Sequence, residues 1–279
     1  MILRDQLKQA YAELRAAHIE TPERDVRKLA SVAFDIALDR MILMSDYSPS
    51  PEQIEKFDTF ILQRLARKPV ARIIGRRQFW GREFEISPDV LDPRGDTETV
   101  ILEALKQPAK HVLDLGTGSG VLAITLLSEW PEATGLASDV SGAALEMAQK
   151  NAATYGLKER LRFCVSNWFD TISDQFDLIV SNPPYIAESE LSDLSPEVSC
   201  FDPRIALSPG KDGLAAYRVI AQNARNHLMP DGRIIVEIGS AQAAAVSEIF
   251  TQNGYHEIEC LKDLDGKDRV IAAKTRKCI

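Results

Sequence analysis

The chain has 279 residues, 45% of them hydrophobic and 27% charged, and a formal net charge of -8. It is longer than a usual single domain, so one large domain and a smaller one are expected, with a sizeable core. Its acidity argues against a surface devoted to nucleic acid, no run of eighteen apolar residues suits a membrane span, and Met1-Ile-Leu-Arg-Asp-Gln lacks the apolar core of a secretory signal.

Residues 1–77 carry helical periodicity. Leu3, Leu7, Tyr11 and Leu14 keep one face, and Val26, Leu29, Ala30, Ala33 and Phe34 repeat it after Thr21-Pro22-Glu23, a cap with proline at the first helical position. Ser50-Pro51-Glu52 opens another helix, with Ile54, Phe57, Ile61 and Leu65 facing inward. A helical substrate-recognition domain is expected. Between Arg64 and Arg82 stand seven bases and no acid, which reads as a solvated helix face or as a patch for RNA or an acidic partner. Residues 78–95 read as a hairpin and linker: Phe79 to Ile86 alternates in polarity, and Pro88, Pro93 and Gly95 follow. Phe79 and Trp80 are expected to pack between domains. Residues 96–279 alternate strands with helices and end in two strands around Asp265-Gly266, which predicts an α/β sheet closed by a hairpin.

Two motifs carry the chemistry. His111-Val-Leu-Asp-Leu-Gly-Thr-Gly-Ser-Gly120 is a strand that ends in a glycine-rich turn and opens a helix, so backbone N–H groups can approach a ligand closely. The spacing is G-x-G-x-G rather than that of dinucleotide-binding proteins, and Asp114 on the strand suits a cation better than a pyrophosphate. Asp139 ends the next strand at a spacing suited to ribose hydroxyls, and Asn167 and Trp168 end the third, where they can read or cover an adenine. The second motif, Asp177-Leu-Ile-Val-Ser-Asn-Pro-Pro-Tyr185, is a buried strand stopped by Pro183-Pro184. It leaves the Asn182 carboxamide and the Pro183 carbonyl side by side as acceptors for a planar NH2 group, with the Tyr185 ring as a wall. Together the motifs describe S-adenosyl-L-methionine and an amide or amine nucleophile. Acceptors gripping both N–H bonds align the nitrogen lone pair and stabilise the charge developing on it. No metal is required, and the scattered Cys164, Cys200, Cys260 and Cys278 offer no ligand spacing.

Asp114–Gly120, Ser181-Asn-Pro-Pro-Tyr-Ile186, Leu91-Asp-Pro-Arg-Gly-Asp-Thr-Glu98, Ile205–Leu214 and Glu237-Ile-Gly239 resemble the release factor glutamine methyltransferases (HemK/PrmC) along essentially the whole chain. The resemblance implies a Rossmann-like class I S-adenosyl-L-methionine-dependent methyltransferase domain over residues 96–279. It also implies methylation of the side-chain amide nitrogen (N5) of the Gly-Gly-Gln glutamine in peptide chain release factors, with S-adenosyl-L-homocysteine as product; a cytoplasmic location is expected from the unpaired cysteines. Gly116, Thr117, Gly118, Ser119, Gly120, Asp139, Trp168 and Asn182 match cofactor-binding positions, and Asn182, Pro183, Pro184 and Tyr185 match the glutamine-binding motif. The chain departs from the family pattern at Asp92, Gly95, Asn167 and Asp202; loss of proline at 95 is expected to loosen a hinge, with Arg94 as a hinge ion-pair residue. The alternatives are a methyltransferase for adenine N6 or guanine N2 of nucleic acid, an NAD-dependent oxidoreductase and an idle binding module.

Overall fold

The computed structural model describes residues 2–275, so Cys278 lies outside them. The chain divides into two compact units, one comprising the residues through Arg76 together with Ser195–Phe201, the other Arg77–Leu194 and the chain from Asp202 onward.

The first unit is built from α1 (Leu3–Ala16), α2 (Pro22–Phe34), α3 (Pro51–Leu65) and α4 (Val70–Ile74), with a further turn of helix, Pro196–Ser199, from the later segment. Leu3, Leu14, Val26, Leu29, Phe34, Phe57 and Ile61 form its buried core. Ser50 caps α3 as the sequence suggests: its hydroxyl accepts from the Gln53 N–H, and the Gln53 side chain accepts from the Ser50 N–H. Tyr11 and Leu7 only border this core, because Gln6 and Ala10 take the more buried positions of α1.

The basic run is not an open patch. Arg64 is 7% exposed. Its Nε donates to Asp25 Oδ2 at 2.8 Å and its terminal nitrogens reach Glu197 Oε1 at 3.2 Å. Arg67 pairs with the same Glu197 and donates to the Ala17 and His18 carbonyls, and Arg72 is buried. In the second unit Arg77 lies 3.6 Å from Asp92, and Arg82 pairs with Glu129 at 2.9 Å. The run of bases is visible in the sequence, but the acids that meet it are not, because Asp25, Glu197, Asp92 and Glu129 all lie outside it.

The second unit opens with a hairpin of β1 (Arg76–Phe79) and β2 (Arg82–Glu85). Trp80 and Gly81 form its turn with φ of 49° and 68°, the doubly positive pair of a type I′ turn. Phe79 and Phe84 pack into the core of this unit, which corrects the expectation that Phe79 lies between domains. After α5 (Glu98–Leu105) the alternation is regular: β3 (His111–Leu115), α6 (Val121–Glu129), β4 (Thr134–Asp139), α7 (Gly142–Thr154), β5 (Leu161–Val165) and β6 (Phe176–Ser181). Beyond α8 (Pro196–Ser199), the helical turn already placed with the first unit, come α9 (Arg204–Leu207), α10 (Ala215–Ala224), β7 (Leu228–Glu237), α11 (Ala243–Gln252), β8 (Tyr255–Lys262) and β9 (Asp268–Thr275).

The seven-stranded sheet runs β5-β4-β3-β6-β7-β9-β8. Its first five strands are parallel; β9 joins β7 antiparallel and pairs with β8 as the closing hairpin. The strand order reverses between β3 and β6, neighbours in register from Val112 with Leu178 to Leu115 with Ser181. An open α/β sheet presents a crevice at such a point, outside the carboxyl ends of its strands. The two motifs singled out from the sequence sit on these two strands. Apolar layers cover both faces: Val100, Ile101, Val112, Ile124 and Leu126 belong to one, and Leu113, Ile179, Tyr217, Ile220 and Phe250 to the other.

Candidate active site

A cavity of ≈ 350 Å³ lies within the second unit at the carboxyl ends of β3, β4, β5 and β6. Its walls include Asp114, Gly116, Thr117, Gly118, Ser119, Asp139, Asn167, Trp168, Asn182 and Pro184. Leu91, Pro93, Val121, Leu122, Ile205 and Val219 supply apolar surface. Gly120, Pro183 and Tyr185 are not among its walls.

The glycine turn has the shape of a cradle. Gly116, Gly118 and Gly120 all have positive φ, at 68°, 55° and 86°, a conformation that side chains rarely adopt. A Cβ on Gly116 or Gly118 would meet nothing within 4 Å, so only the backbone conformation demands glycine there. At Gly120 a Cβ would lie 2.7 Å from the Ile124 side chain and 3.2 Å from Ala148 Cβ, so this glycine lets α6 start close against α7. Asp139 holds the turn from the next strand: its Oδ2 accepts the Gly118 N–H and its Oδ1 the Ser141 N–H, each at 2.9 Å. A carboxylate oxygen has a second lone pair, so these bonds leave Asp139 able to accept from a ligand hydroxyl.

Asp114 is 1% exposed. Its Oδ2 accepts the Thr117 hydroxyl at 2.7 Å and the Ala123 N–H at 3.1 Å, but Oδ1 has no partner. Burial pushes the carboxyl up to about 6 against the two hydrogen bonds, and Asp139 adds to the rise. A buried acid with one unfilled oxygen at a cavity wall suits a cationic ligand, which would restore the charge that burial disfavours. The acid therefore braces the turn and the start of α6 and still keeps one oxygen for the cavity.

Trp168 has φ of 53°, uncommon for a bulky residue, and packs at the edge of the apolar layer while lining the cavity. Asn167 is exposed; its Nδ2 donates to Asp170 Oδ2 at 3.3 Å, which leaves its carbonyl oxygen available as an acceptor.

At the tip of β6, Ser181 donates to the Leu115 carbonyl at 2.7 Å and ties the two motif strands together. Asn182 Nδ2 donates to Thr97 Oγ1 at 3.1 Å, so its Oδ1 is the end of the carboxamide left to accept. Tyr185 turns its hydroxyl toward Glu237 Oε1 at 3.5 Å, and its backbone carbonyl accepts from Gln242 Nε2 at 2.9 Å. Thr97 and Glu237 entered the sequence reading only inside motif strings, with no role. Their partners lie 85 and 52 residues away in the chain, a separation that periodicity cannot bridge.

The departures at 92 and 202 meet in space. Asp92 is 2% exposed, and its N–H donates to Asp202 Oδ1 at 3.3 Å. Arg94 donates to Asp202 Oδ2 at 2.6 Å. Arg94 thus ties two stretches of the second unit, one through Pro93 and one leading to Ile205, that both wall the cavity.

Residues 88–196 match the family described as the methyltransferase small domain, and residues 5–75 match the PrmC N-terminal domain. A release factor glutamine methyltransferase of Cereibacter sphaeroides is 46% identical over 270 residues, covering 97% of both chains. One of Agrobacterium fabrum is 40% identical, covering 94% of this chain and 93% of the relative. Among solved structures, a methyltransferase from Pyrococcus furiosus aligns with a TM-score of 0.55 at 18% identity, over 71% of this chain and 91% of that one, a likeness of fold. On this similarity over nearly its whole length, the chain belongs to the release factor glutamine methyltransferase family.

Proposed function

We infer that this protein transfers a methyl group from S-adenosyl-L-methionine to the side-chain amide nitrogen (N5) of the Gly-Gly-Gln glutamine in peptide chain release factors. The observation that carries the reading is the orientation of Asn182: its NH2 is bonded to Thr97, so an acceptor oxygen remains at the cavity wall. A primary amide presents two N–H donors; Asn182 Oδ1 takes one, and the carbonyl of Pro183, next in the chain though not a wall of the cavity, takes the other. With both N–H bonds held, the lone pair of the amide nitrogen is directed and the positive charge developing on it is stabilised.

The cavity fits the cofactor. Asp114 keeps an unfilled buried oxygen for a cation, Asp139 can accept from hydroxyls, Asn167 and Trp168 can read and cover a base, and the glycine turn gives room for close approach. The bound cofactor supplies an electrophilic methyl group on a sulfonium. The residues of this chain bind and orient, and no covalent protein intermediate or metal ligand set is needed. Among the described residues no group of His, Cys, Asp and Glu is placed to hold a metal ion, and no helix is long and apolar enough to cross a membrane.

The nucleic-acid reading gains nothing from the basic run, since Arg64, Arg67, Arg77 and Arg82 each engage a carboxylate. Mass spectrometry of a purified release factor incubated with this protein and S-adenosyl-L-methionine tests the assignment, with labelled tRNA and duplex DNA alongside. One methyl group on the Gly-Gly-Gln glutamine is expected; label only in nucleic acid would overturn it.

A further inference from the structure

Both ends of the Asn182–Tyr185 motif lead to one buried carboxylate. Glu237 ends β7 and is 1% exposed. Its Oε1 receives the Tyr185 hydroxyl, its Oε2 makes no hydrogen bond, and the hydroxyl of Thr97, itself 2% exposed, faces the carboxylate. The other groups bearing on it are Arg269 from β9, Asp96 from the turn before α5 and Tyr217 from α10, whose hydroxyl donates to the Glu237 backbone carbonyl at 2.9 Å. Arg269 is shared, because it also pairs with Asp96 and Asp263 at 3.1 Å each.

A carboxamide can face a substrate with either end, and at the tip of β6 the choice decides the chemistry. With Oδ1 presented, Asn182 accepts from an NH2 group; with Nδ2 presented, it opposes donor to donor. Thr97 Oγ1 holds one proton. While that oxygen accepts from Asn182 Nδ2, its proton must point elsewhere, and the carboxylate it faces is acceptor-only when ionised.

We propose that Thr97 and Glu237 are positioning residues for the methyl transfer: ionised Glu237 draws the Thr97 proton, and the Thr97 oxygen then fixes Asn182 with its carbonyl toward the substrate amide. A protonated Glu237 reverses the preference. Its own proton needs a buried acceptor, the Thr97 oxygen supplies one, and the Thr97 hydroxyl is then free to donate to Asn182 Oδ1. The substrate would meet an NH2 group. Burial pushes Glu237 up to about 7, with Thr97 and Arg269 opposing the rise, so the exchange falls in an accessible pH range.

The inference rests on the proposed glutamine methylation, and the test separates the two. Turnover of a release factor is followed from pH 6 to 8.5 for the wild type, Thr97→Val, Thr97→Ser and Glu237→Gln, with cofactor affinity and melting temperature measured for each. Wild-type kcat should fall as pH drops through about 7. Thr97→Val, near-isosteric but without the hydroxyl, should lose on the order of 10- to 100-fold in kcat with cofactor affinity unchanged. Thr97→Ser should restore kcat to within a few-fold and keep the acid limb. Glu237→Gln has no proton to gain, so the limb through about 7 should vanish.

Wild-type kcat flat through that range, or Thr97→Val within about 2-fold of it, would overturn the positioning role and leave the methyltransferase reading intact. A Thr97→Ser variant as impaired as Thr97→Val would do the same, even if the valine variant were unstable. A wild type that never methylates the release factor would remove the reading itself.

Discussion

The two units treat buried carboxylates differently, as Asp25 in the one and Asp114 and Glu237 in the other show. In the helical unit Asp25 is 5% exposed; its Oδ1 accepts the Thr21 hydroxyl at 3.0 Å and its Oδ2 the Arg64 guanidinium at 2.8 Å. Both oxygens are filled and the charge is matched. In the sheet unit Asp114 and Glu237 are each 1% exposed, and each keeps an oxygen without a partner. A completed ion pair holds a fold together, whereas an incomplete one at a cavity wall keeps capacity for a ligand or a proton. Of these three acids, Asp25 serves the fold while Asp114 and Glu237 keep capacity for the site, although all are at most 5% exposed.

The sharpest way to break this contrast is at the acceptor itself. Asn182→Ala should lower turnover by on the order of 10²- to 10³-fold while cofactor affinity, read by calorimetry, stays within a few-fold. A collapse of cofactor binding would instead make Asn182 part of the cradle. In the helical unit the effect should be on stability: Arg64→Met leaves Asp25 buried without its cation and should cost about 3 kcal/mol in urea unfolding. Adding Asp25→Leu should recover most of that loss, because a matched apolar pair avoids the uncompensated charge. If the single variant were as stable as the wild type, Asp25 would belong with the unfilled acids.

A smaller effect is expected at Asp114. A group at about 6 in the protein against an ordinary carboxylate value near 3.8 binds its proton more tightly when folded, so without ligand the folded state loses stability as pH rises across that window. A cationic ligand reverses this locally. Affinity for S-adenosyl-L-methionine should therefore rise a few-fold from pH 5 to 7, with proton release below about 6, and Asp114→Asn should flatten the rise. Gly120→Ala should be felt mainly as a lower melting temperature, of the order of 1–3 kcal/mol, through crowding of Ile124 and Ala148 at a φ of 86°. A Gly120→Ala protein as stable as the wild type would mean that α6 can move off α7.

Local chemistry made much of this legible. Alternation, caps and glycine punctuation foretell α3, the parallel strands and the closing hairpin, because those features depend on neighbours within a few residues. The strand tips were legible for the same reason: Asp114, Asp139 and Asn182 each end a short apolar run, and a parallel sheet brings such ends together. Thr97, Glu237, Asp25 and Glu197 were not, since each matters through a partner far along the chain. The basic run from Arg64 misled for that reason: charge density is visible in sequence, but its neutralisation is a tertiary fact.

Ser195–Phe201 belongs to the helical unit, although the segments on either side belong to the sheet unit. The polypeptide therefore passes from one unit to the other three times, after Arg76, after Leu194 and after Phe201. A fragment cut near residue 77 is not a module that can be excised or grafted whole, because it leaves Glu197 behind and strips Arg64 of one of its two acids. A single proteolytic nick there would leave the halves linked only through what remains folded, and a chimaera built to exchange recognition domains needs a second junction around 195–201.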